Sequence, residues 1–238
     1  MSTESAAMTA IAGHPRYGDD WLTPFRAAIQ SELRPGSIVI DVGGGRHPAI
    51  ARPDLPPGAT YIGIDLSERE LAAAPPGSYD RAILGDVVER LPDLEGCADL
   101  VVSWQVLEHV APLSDAISNI YHYLRPGGLF VAQLSGGRSA FALVNRMIPH
   151  RLAKVAMKRL LQRDPASVFP APYDRCTYSA LSRILADWSD VRILPRYRGA
   201  EYFGFLPPLQ TVYVRLEDLI VRGDHKDLAT HYLVVARR

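Results

Sequence analysis

A series of short apolar runs, separated by polar or helical segments, constrains the fold of this chain more than any other feature. Each run has the length and the β-branched content of a buried strand. The runs cover residues 37–42, 60–66, 81–84, 98–104 and 129–134. Because strand and helix alternate along the chain, we predict a parallel sheet with right-handed crossovers.

The predicted fold class is α/β, with a Rossmann-like, mostly parallel sheet of seven strands. The last two strands, 191–197 and 231–236, are expected to form an antiparallel pair at its C-terminal edge. Residues 1–34 are predicted to form an N-terminal arm and a lid helix, and 35–238 a single domain. A helical insert or cap is predicted over residues 138–172, where a long helical stretch is followed by a proline-rich passage.

Composition excludes several classes of protein. The 238 residues carry no formal net charge, so no overall field attracts nucleic acid or an anionic membrane. Cys97 and Cys176 have neither metal-ligand nor disulfide-framework spacing. The N-terminus has no secretory pattern and no run is long enough to span a bilayer, so we expect a cytoplasmic protein.

The first strand runs into a glycine turn that is typical of a nucleotide-binding site. Gly43, Gly44 and Gly45 allow a ligand to approach the backbone, and Pro48 stands where a helix can begin. About twenty residues further on, Asp65 can accept hydrogen bonds from both hydroxyls of a ribose. Asp41 would repel the phosphates of a dinucleotide but suits a cationic ammonium group, and this favours a sulfonium cofactor.

Further motifs follow in a fixed order: Asp41-Val-Gly-Gly-Gly, Asp65, Gly85-Asp86-Val87, Ala98 to Ser103, Leu107-Glu108-His109-Val110 and Leu124 to Gly128. In this order they resemble the motifs of class I S-adenosylmethionine-dependent methyltransferases. Within that class they resemble the branch of ubiquinone-biosynthesis and other small-molecule enzymes, with a methyltransferase domain of type 11. The resemblance covers about residues 35–135.

The resemblance implies roles for the residues that follow each strand. Asp86 is expected to meet the exocyclic amine of adenine, Val87 to lie beside the ring, and Gln105 to lie near the methionine portion of the cofactor. Leu66, next to Asp65, belongs to the same predicted site. The chain departs from the common glycine pattern at His47, where a third glycine is expected.

His109 is the candidate general base, because imidazole titrates near neutral pH and the loop after the fourth strand borders the cofactor in this fold. A structural hydrogen bond at the start of a helix is the alternative role for this histidine. In related enzymes an ExxEH motif holds a divalent metal. Here Gln105 replaces its first carboxylate, which weakens binding of Mg²⁺, so we expect no metal.

Two segments indicate that the acceptor is apolar or carries a charged group such as a phosphate. Residues 138–163 are basic and amphipathic, and they can lie on the inner face of a membrane, bind a phosphorylated acceptor, or form a solvated helix face. The aromatic stretch 202–209 can cover an apolar acceptor. We therefore expect a small-molecule, glycan or lipid-linked acceptor methylated at a hydroxyl. The motifs also loosely resemble methyltransferases of bacterial glycan and glycolipid pathways.

Other aromatic and basic residues have two interpretations each. Tyr17 and Trp21 can close over the cofactor or simply pack the first helix. Tyr173, Arg175 and Tyr178 can border the acceptor, or they can belong to the start of the next helix, with Thr177 or Ser179 as its N-cap.

Two other functions compete with methylation of a small molecule. The basic insert could bind RNA phosphates in an RNA methyltransferase, although the zero net charge and the lack of an NPPY-type motif argue against nucleic acid. A noncatalytic partner protein that binds S-adenosylmethionine is the third hypothesis. The retained acids Asp41, Asp65 and Asp86 argue against it. The sequence carries no signal of oligomeric state.

Overall fold

The computed structural model describes residues 11–18, 20, 22–139, 142–143 and 171–238. Seven strands form one sheet in the order β3-β2-β1-β4-β5-β7-β6. The strands are β1 (Ile38–Val42), β2 (Thr60–Asp65), β3 (Arg81–Leu84), β4 (Ala98–Trp104), β5 (Leu124–Ser135), β6 (Ser189–Arg196) and β7 (His231–Arg237). Strands β1 to β5 pair in parallel, and β7 runs antiparallel to both β5 and β6. The predicted fold class is confirmed.

The described helices are α1 (Pro15–Gly18), α2 (Leu22–Glu32), α3 (Glu68–Ala72), α4 (Leu113–Tyr123), α5 (Tyr178–Ile184) and α6 (Pro207–Arg222). Short 3-10 turns include Leu107–His109 and Gly199–Phe203. None of the helices in these described ranges is long and apolar enough to cross a membrane.

Both faces of the central strands are covered, because their residues alternate between two apolar clusters, whereas the edge strands β3 and β6 contain no buried residue. On one face Phe25 and Ile29 of α2 pack against alternate residues of the central strands, such as Val39 and Leu100. On the other face the apolar side of α4, including Ile117, packs against the residues between them. The loops that follow the strands are therefore left to form the site at one edge.

The glycine turn after β1 is not followed by a helix at Pro48. Residues 43–51 form turns and bends, and only a 3-10 turn, Arg52–Asp54, follows them. The segment contains prolines at 48, 53, 56 and 57, which lack the amide hydrogen that a continuing helix needs. The turn is instead held by contacts from neighbouring strands.

The predicted helical insert, 138–172, lies almost wholly outside the described residues. Within it the structure describes residues 138–139, 142–143 and 171–172. The expected basic amphipathic surface of 138–163 therefore stays a prediction.

Candidate active site

The carboxyl end of β1 brings a buried acid against the glycine turn. Asp41 is fully buried, and its Oδ2 accepts hydrogen bonds from the Ala49 amide at 2.8 Å and from the Tyr61 hydroxyl at 2.5 Å. Burial raises the pKa of Asp41 to about 6, although these hydrogen bonds oppose the rise. Asp41 thus holds the turn in place, with its Oδ1 buried and without a partner.

The glycines of this turn are required by close approach. A Cβ on Gly44 would lie 2.3 Å from both Asp41 Oδ2 and the hydroxyl oxygen of Tyr79. Gly43 has φ +77°, and its Cβ would lie 2.4 Å from a side-chain carbon of Val106. Both positions exclude a side chain, so the backbone of the turn lies directly against Asp41, Tyr79 and the loop after β4.

Tyr61 and Tyr79 are site residues that the sequence analysis missed. Their rings lie 5.2 Å apart beside the turn, and the Tyr79 hydroxyl donates to the carbonyl oxygen of Gly45 at 3.1 Å. Burial and the nearby carboxylates raise the pKa of Tyr79. No local pattern marks these tyrosines, because both reach the turn across the sheet.

The predicted nucleoside residues lie at the ends of β2 and β3. Asp65 Oδ1 accepts from the Ser67 amide at 2.8 Å, and its Oδ2 faces Gly45. Partial burial raises the pKa of Asp65. Leu66 is 67% exposed, which leaves an apolar side chain in solvent beside Asp65.

Of the two predicted residues after β3, Asp86 is partly exposed and Val87 is buried. Asp86 Oδ1 accepts from the Val88 amide at 2.9 Å. Val87 is buried in the core, and its carbonyl oxygen accepts from Asn119 Nδ2 at 2.9 Å. The expected place of Val87 beside an adenine ring stays a prediction, and Leu66 is the more exposed apolar neighbour.

An ion pair ties the glycine turn to α3. Arg46 Nη2 lies 2.7 Å from Glu70 Oε1 and Arg46 Nε lies 2.5 Å from Glu70 Oε2, a two-point contact. The guanidinium lowers the pKa of the Glu70 carboxyl. The pair restrains the turn from the side of β2, and the sequence analysis did not identify it.

A second polar cluster forms where β4 and β5 end. Ser135 Oγ lies 2.7 Å from Glu108 Oε1 and 3.0 Å from Gln105 Oε1. A hydroxyl has one proton, so the chain is satisfied when the Gln105 amide presents its nitrogen to Ser135 and Ser135 donates to Glu108. Burial raises the pKa of Glu108, whose Oε2 is buried without a partner.

Gln105 has φ +57°, a left-handed conformation that is uncommon for a residue with a side chain. The strained residue lies directly after β4, and its amide donates to the Gln133 carbonyl oxygen at 2.7 Å. This conformation turns the chain sharply and joins Gln105 to Ser135.

The turn Leu107–His109 contains two residues that could take up a proton, Glu108 and His109, and these differ in burial. Glu108 is buried, whereas His109 is exposed. The expected role of His109 stays a prediction, as does the expectation that no metal is used. In the described part of the chain, no group of three or more His, Cys, Asp or Glu side chains is placed to hold a metal ion.

Residues after the insert reach the same cluster. The Tyr173 amide donates to the Glu108 carbonyl oxygen at 3.1 Å, and Tyr173 is itself buried with φ +51°. Thr177 caps α5, with its side chain accepting from the Ala180 amide, as one of the predicted alternatives has it. Arg175 lies between Tyr173 and Thr177, and Tyr178 is the first residue of α5. Their expected contact with an acceptor stays a prediction.

The N-terminal arm packs on α6. Tyr17 hydrogen-bonds to the buried carboxylate of Glu217, and Arg16 lies 2.8 Å from Asp218. Tyr17 also packs against the small apolar cluster around Tyr213. Packing is thus the observed role of Tyr17, while Trp21 lies outside the described residues.

The strand order, the reversed β7 and the acids at successive strand ends define the class I S-adenosylmethionine-dependent methyltransferase fold. A methyltransferase domain from Archaeoglobus fulgidus, described as S-adenosylmethionine-dependent, has the same fold, with a TM-score of 0.58, 19% identity and coverage of 91% of this chain and 92% of that one. A second such protein, from Mesorhizobium loti, has a TM-score of 0.51 at 19% identity and covers 94% and 100%.

The family follows from the sequence match. The family model described as a methyltransferase domain matches residues 16–170, and the chain belongs to this family. The matched model is numbered type 23, and the finer assignment to type 11 stays a prediction.

Relatives at the sequence level match about half of this chain. The demethylmenaquinone methyltransferase of Symbiobacterium thermophilum is 30% identical over 122 residues, which is 48% of this chain and 47% of the relative. The ubiquinone biosynthesis O-methyltransferase of Agrobacterium fabrum is 28% identical over 135 residues, or 55% and 50%. The chain thus spans about half the length of these relatives.

The residues present fit S-adenosylmethionine. The glycine turn offers bare backbone, Asp65 offers a carboxylate, and Leu66 offers an exposed apolar surface beside it. Asp41 Oδ1 and the atom of the Gln105 amide that does not contact Ser135 are buried polar atoms without a protein partner. S-adenosylmethionine has an apolar base, ribose hydroxyls and a charged amino-acid tail, and these can contact the apolar, carboxylate and buried polar groups just described.

Proposed function

We propose that this protein transfers the methyl group of S-adenosylmethionine to a hydroxyl of a small-molecule, saccharide or lipid-linked acceptor. The observation that carries the proposal is the alignment of Asp41, Asp65 and Asp86 at the ends of three adjacent parallel strands in a chain of the methyltransferase family. Such strand ends are where ligands of open α/β sheets bind.

Each of the site residues would contact a different part of the cofactor. Asp65 would accept from the ribose hydroxyls, Leu66 and Asp86 would contact the adenine, and Gln105 would face the methionine portion. Gly43 to Gly45 would give the backbone close access to the ligand. When bound, the sulfonium supplies an activated methyl group, so the protein contributes mainly position and charge.

The cluster of Gln105, Glu108 and Ser135 supports a hydroxyl acceptor. It lies at the end of β4 and β5, next to the glycine turn at the end of β1. A buried carboxyl with a raised pKa can accept the proton of a hydroxyl as its oxygen bonds to the methyl carbon. Glu108 is therefore our first candidate for the general base, and His109 is the second.

The relatives support a small-molecule acceptor, and one of them is named for O-methylation. Their names place them in the synthesis of ubiquinone and in the methylation of demethylmenaquinone. In this chain Phe203 and Phe205 lie beside each other, with ring centroids 6.5 Å apart, in the aromatic stretch expected to cover the acceptor. A lipid-linked acceptor would use that stretch.

The test begins with the cofactor. Calorimetric titration with S-adenosylmethionine and S-adenosylhomocysteine is expected to show saturable binding by the wild type, with at least a tenfold loss in Asp65→Ala, since hydrogen bonds to a charged carboxylate contribute about 1.5–3 kcal/mol. Asp93→Ala, which removes an exposed carboxylate that pairs with Arg81, is the matched control. A folded wild type that binds neither ligand contradicts the proposal.

The second step identifies the acceptor. Transfer of a labelled methyl group is measured with a catechol, a naphthoquinol and an alkyl glucoside, each with and without Mg²⁺. Methylation of a hydroxyl without Mg²⁺ supports the proposal. Methylation of carbon alone contradicts the hydroxyl assignment, and methylation of RNA in a parallel reaction supports the competing function. Binding without turnover over the whole panel supports the noncatalytic alternative.

A further inference from the structure

Helix α6 presents its apolar side chains outward. Leu209, Val212, Leu216 and Leu219 follow the spacing of one helix face. Val212 and Leu219 are each 63% exposed, and Leu216 is 41% exposed. Phe205, just before the helix, extends the same apolar surface and is 78% exposed. We call these five residues the α6 face, and it is about 15 Å long between Leu209 and Leu219.

The opposite side of α6 explains this orientation. The side chains it buries are Gln210, Tyr213, Val214 and Glu217. Glu217 accepts hydrogen bonds from the Gly199 amide at 2.6 Å and from Thr230 Oγ1 at 3.2 Å, and it also binds Tyr17. These polar contacts fix the rotation of the helix, so the leucines stay in solvent although burial would be favourable.

The charges beside the α6 face select its partner. Arg215 and Arg222 are exposed and lie along one edge of the face. Within the described part of the chain, neither makes an ion pair. The acidic residues of the helix are turned away, because Glu217 is buried and Asp218 pairs with Arg16. An apolar face bordered by cations is typical of a helix that lies on an anionic lipid surface.

A second copy of the chain fits this face less well. Two copies paired antiparallel about the middle of α6 would bring Arg215 close to its counterpart. The face contributes no acid to offset that repulsion. An anionic bilayer instead offers negative headgroups to both arginines and an apolar layer to the leucines.

We propose that the α6 face, with Arg215 and Arg222 at its edge, docks this protein onto an anionic lipid bilayer. The surface differs from the predicted basic insert, and it would bring the aromatic stretch before α6 to the membrane. It deepens the proposed function, because a bilayer would present a lipid-linked acceptor. Docking itself does not depend on methyl transfer.

The experiment is flotation of the full chain with vesicles, with S-adenosylhomocysteine binding measured in parallel. We expect binding to vesicles of phosphatidylcholine with phosphatidylglycerol, weakened by salt, and little binding to phosphatidylcholine alone. The variant Leu216→Ser/Leu219→Ser is expected to bind at least about tenfold more weakly. Arg215→Gln/Arg222→Gln is expected to lose the preference for the anionic lipid.

The matched control is Arg192→Gln/Leu194→Ser on the edge strand β6, which removes one exposed cation and one exposed leucine outside the α6 face. It is expected to bind as the wild type does. Three outcomes overturn the proposal: no vesicle binding by the wild type, equal binding by the α6 variants, or a wild-type dimer that Leu216→Ser/Leu219→Ser dissociates in sedimentation velocity.

The two proposals fail separately in this design. Vesicle binding without S-adenosylhomocysteine binding supports docking and contradicts the proposed function. S-adenosylhomocysteine binding without vesicle binding supports the proposed function and contradicts docking. Retention of S-adenosylhomocysteine binding by the α6 variants shows that they are folded.

Discussion

Replacing Gly44 by alanine tests whether the glycine turn is packed as closely as its contacts indicate. The new Cβ would lie 2.3 Å from Asp41 Oδ2 and from the Tyr79 hydroxyl oxygen, about 1 Å closer than an ordinary contact. Gly44 does not have a positive φ, so the backbone itself tolerates alanine. The effect therefore measures packing alone.

The magnitude follows from what must move. Forcing extra volume into a packed site costs about 1–3 kcal/mol. Displacing Asp41 also weakens a hydrogen bond to a buried carboxylate, from the Ala49 amide or the Tyr61 hydroxyl, which contributes about 1.5–3 kcal/mol. We expect Gly44→Ala to lose about 2.5–6 kcal/mol in total. At about 2–4 °C per kcal/mol, Tm should fall by at least about 5 °C.

The assay is thermal unfolding combined with titration of S-adenosylhomocysteine. Gly204→Ala is the matched control, because its Cβ would meet only ordinary contacts, the nearest at 3.7 Å, in the loop before α6. Adding Tyr79→Phe to Gly44→Ala removes one clashing oxygen and should recover part of the lost Tm. A Gly44→Ala protein with the wild-type Tm and affinity refutes the packing argument.

Two other substitutions probe the buried acids. Burial raises the pKa of Asp41 from 3.8 to about 6, so the stability due to its neutral form is complete below about pH 4 and is lost as the pH rises through 6. Between pH 4 and pH 8, urea unfolding should show Asp41→Asn gaining about 3 kcal/mol relative to the wild type, and parallel profiles would show that Asp41 is not shifted. Glu108→Gln keeps an acceptor for Ser135 but cannot take a proton, so kcat on the acceptor found in the methyl-transfer panel should fall about 10²-fold or more with unchanged S-adenosylhomocysteine affinity. A larger loss in His109→Ala than in Glu108→Gln would assign the base to the histidine.

The mostly parallel sheet, its antiparallel C-terminal edge and the acids at the strand ends could be predicted from the sequence. Buried parallel strands consist of continuous apolar runs, and the bounds predicted for 98–104 agree with β4, which is buried along almost its whole length. The bounds predicted for 81–84 agree with β3, but the prediction that this strand is buried is wrong, because β3 is an edge strand of the sheet and most of its residues are exposed. Asp41, Asp65 and Asp86 come at or directly after strand ends, and parallel strands place their carboxyl ends along one edge. Local pattern and connectivity suffice for this part of the site.

No helix begins at Pro48, and the sequence itself contains the reason. Four prolines between 48 and 57 remove amide donors, and the turn is held instead by Asp41. The glycine turn by itself is typical of the start of a helix. Tertiary contacts replace the helix in holding the turn.

What the sequence by itself determined is the mostly parallel sheet, its antiparallel C-terminal edge and the row of acids, because these depend on runs of neighbouring residues. Only the tertiary structure decided that Tyr61 and Tyr79 reach the turn, that Glu108 is buried while His109 is exposed, and that α6 turns its leucines outward. Each of these depends on partners distant in the chain. Glu217, for example, sets the rotation of α6 through Tyr17, 200 residues away. Such long-range contacts leave no periodic pattern in the sequence, since they join single side chains rather than whole elements.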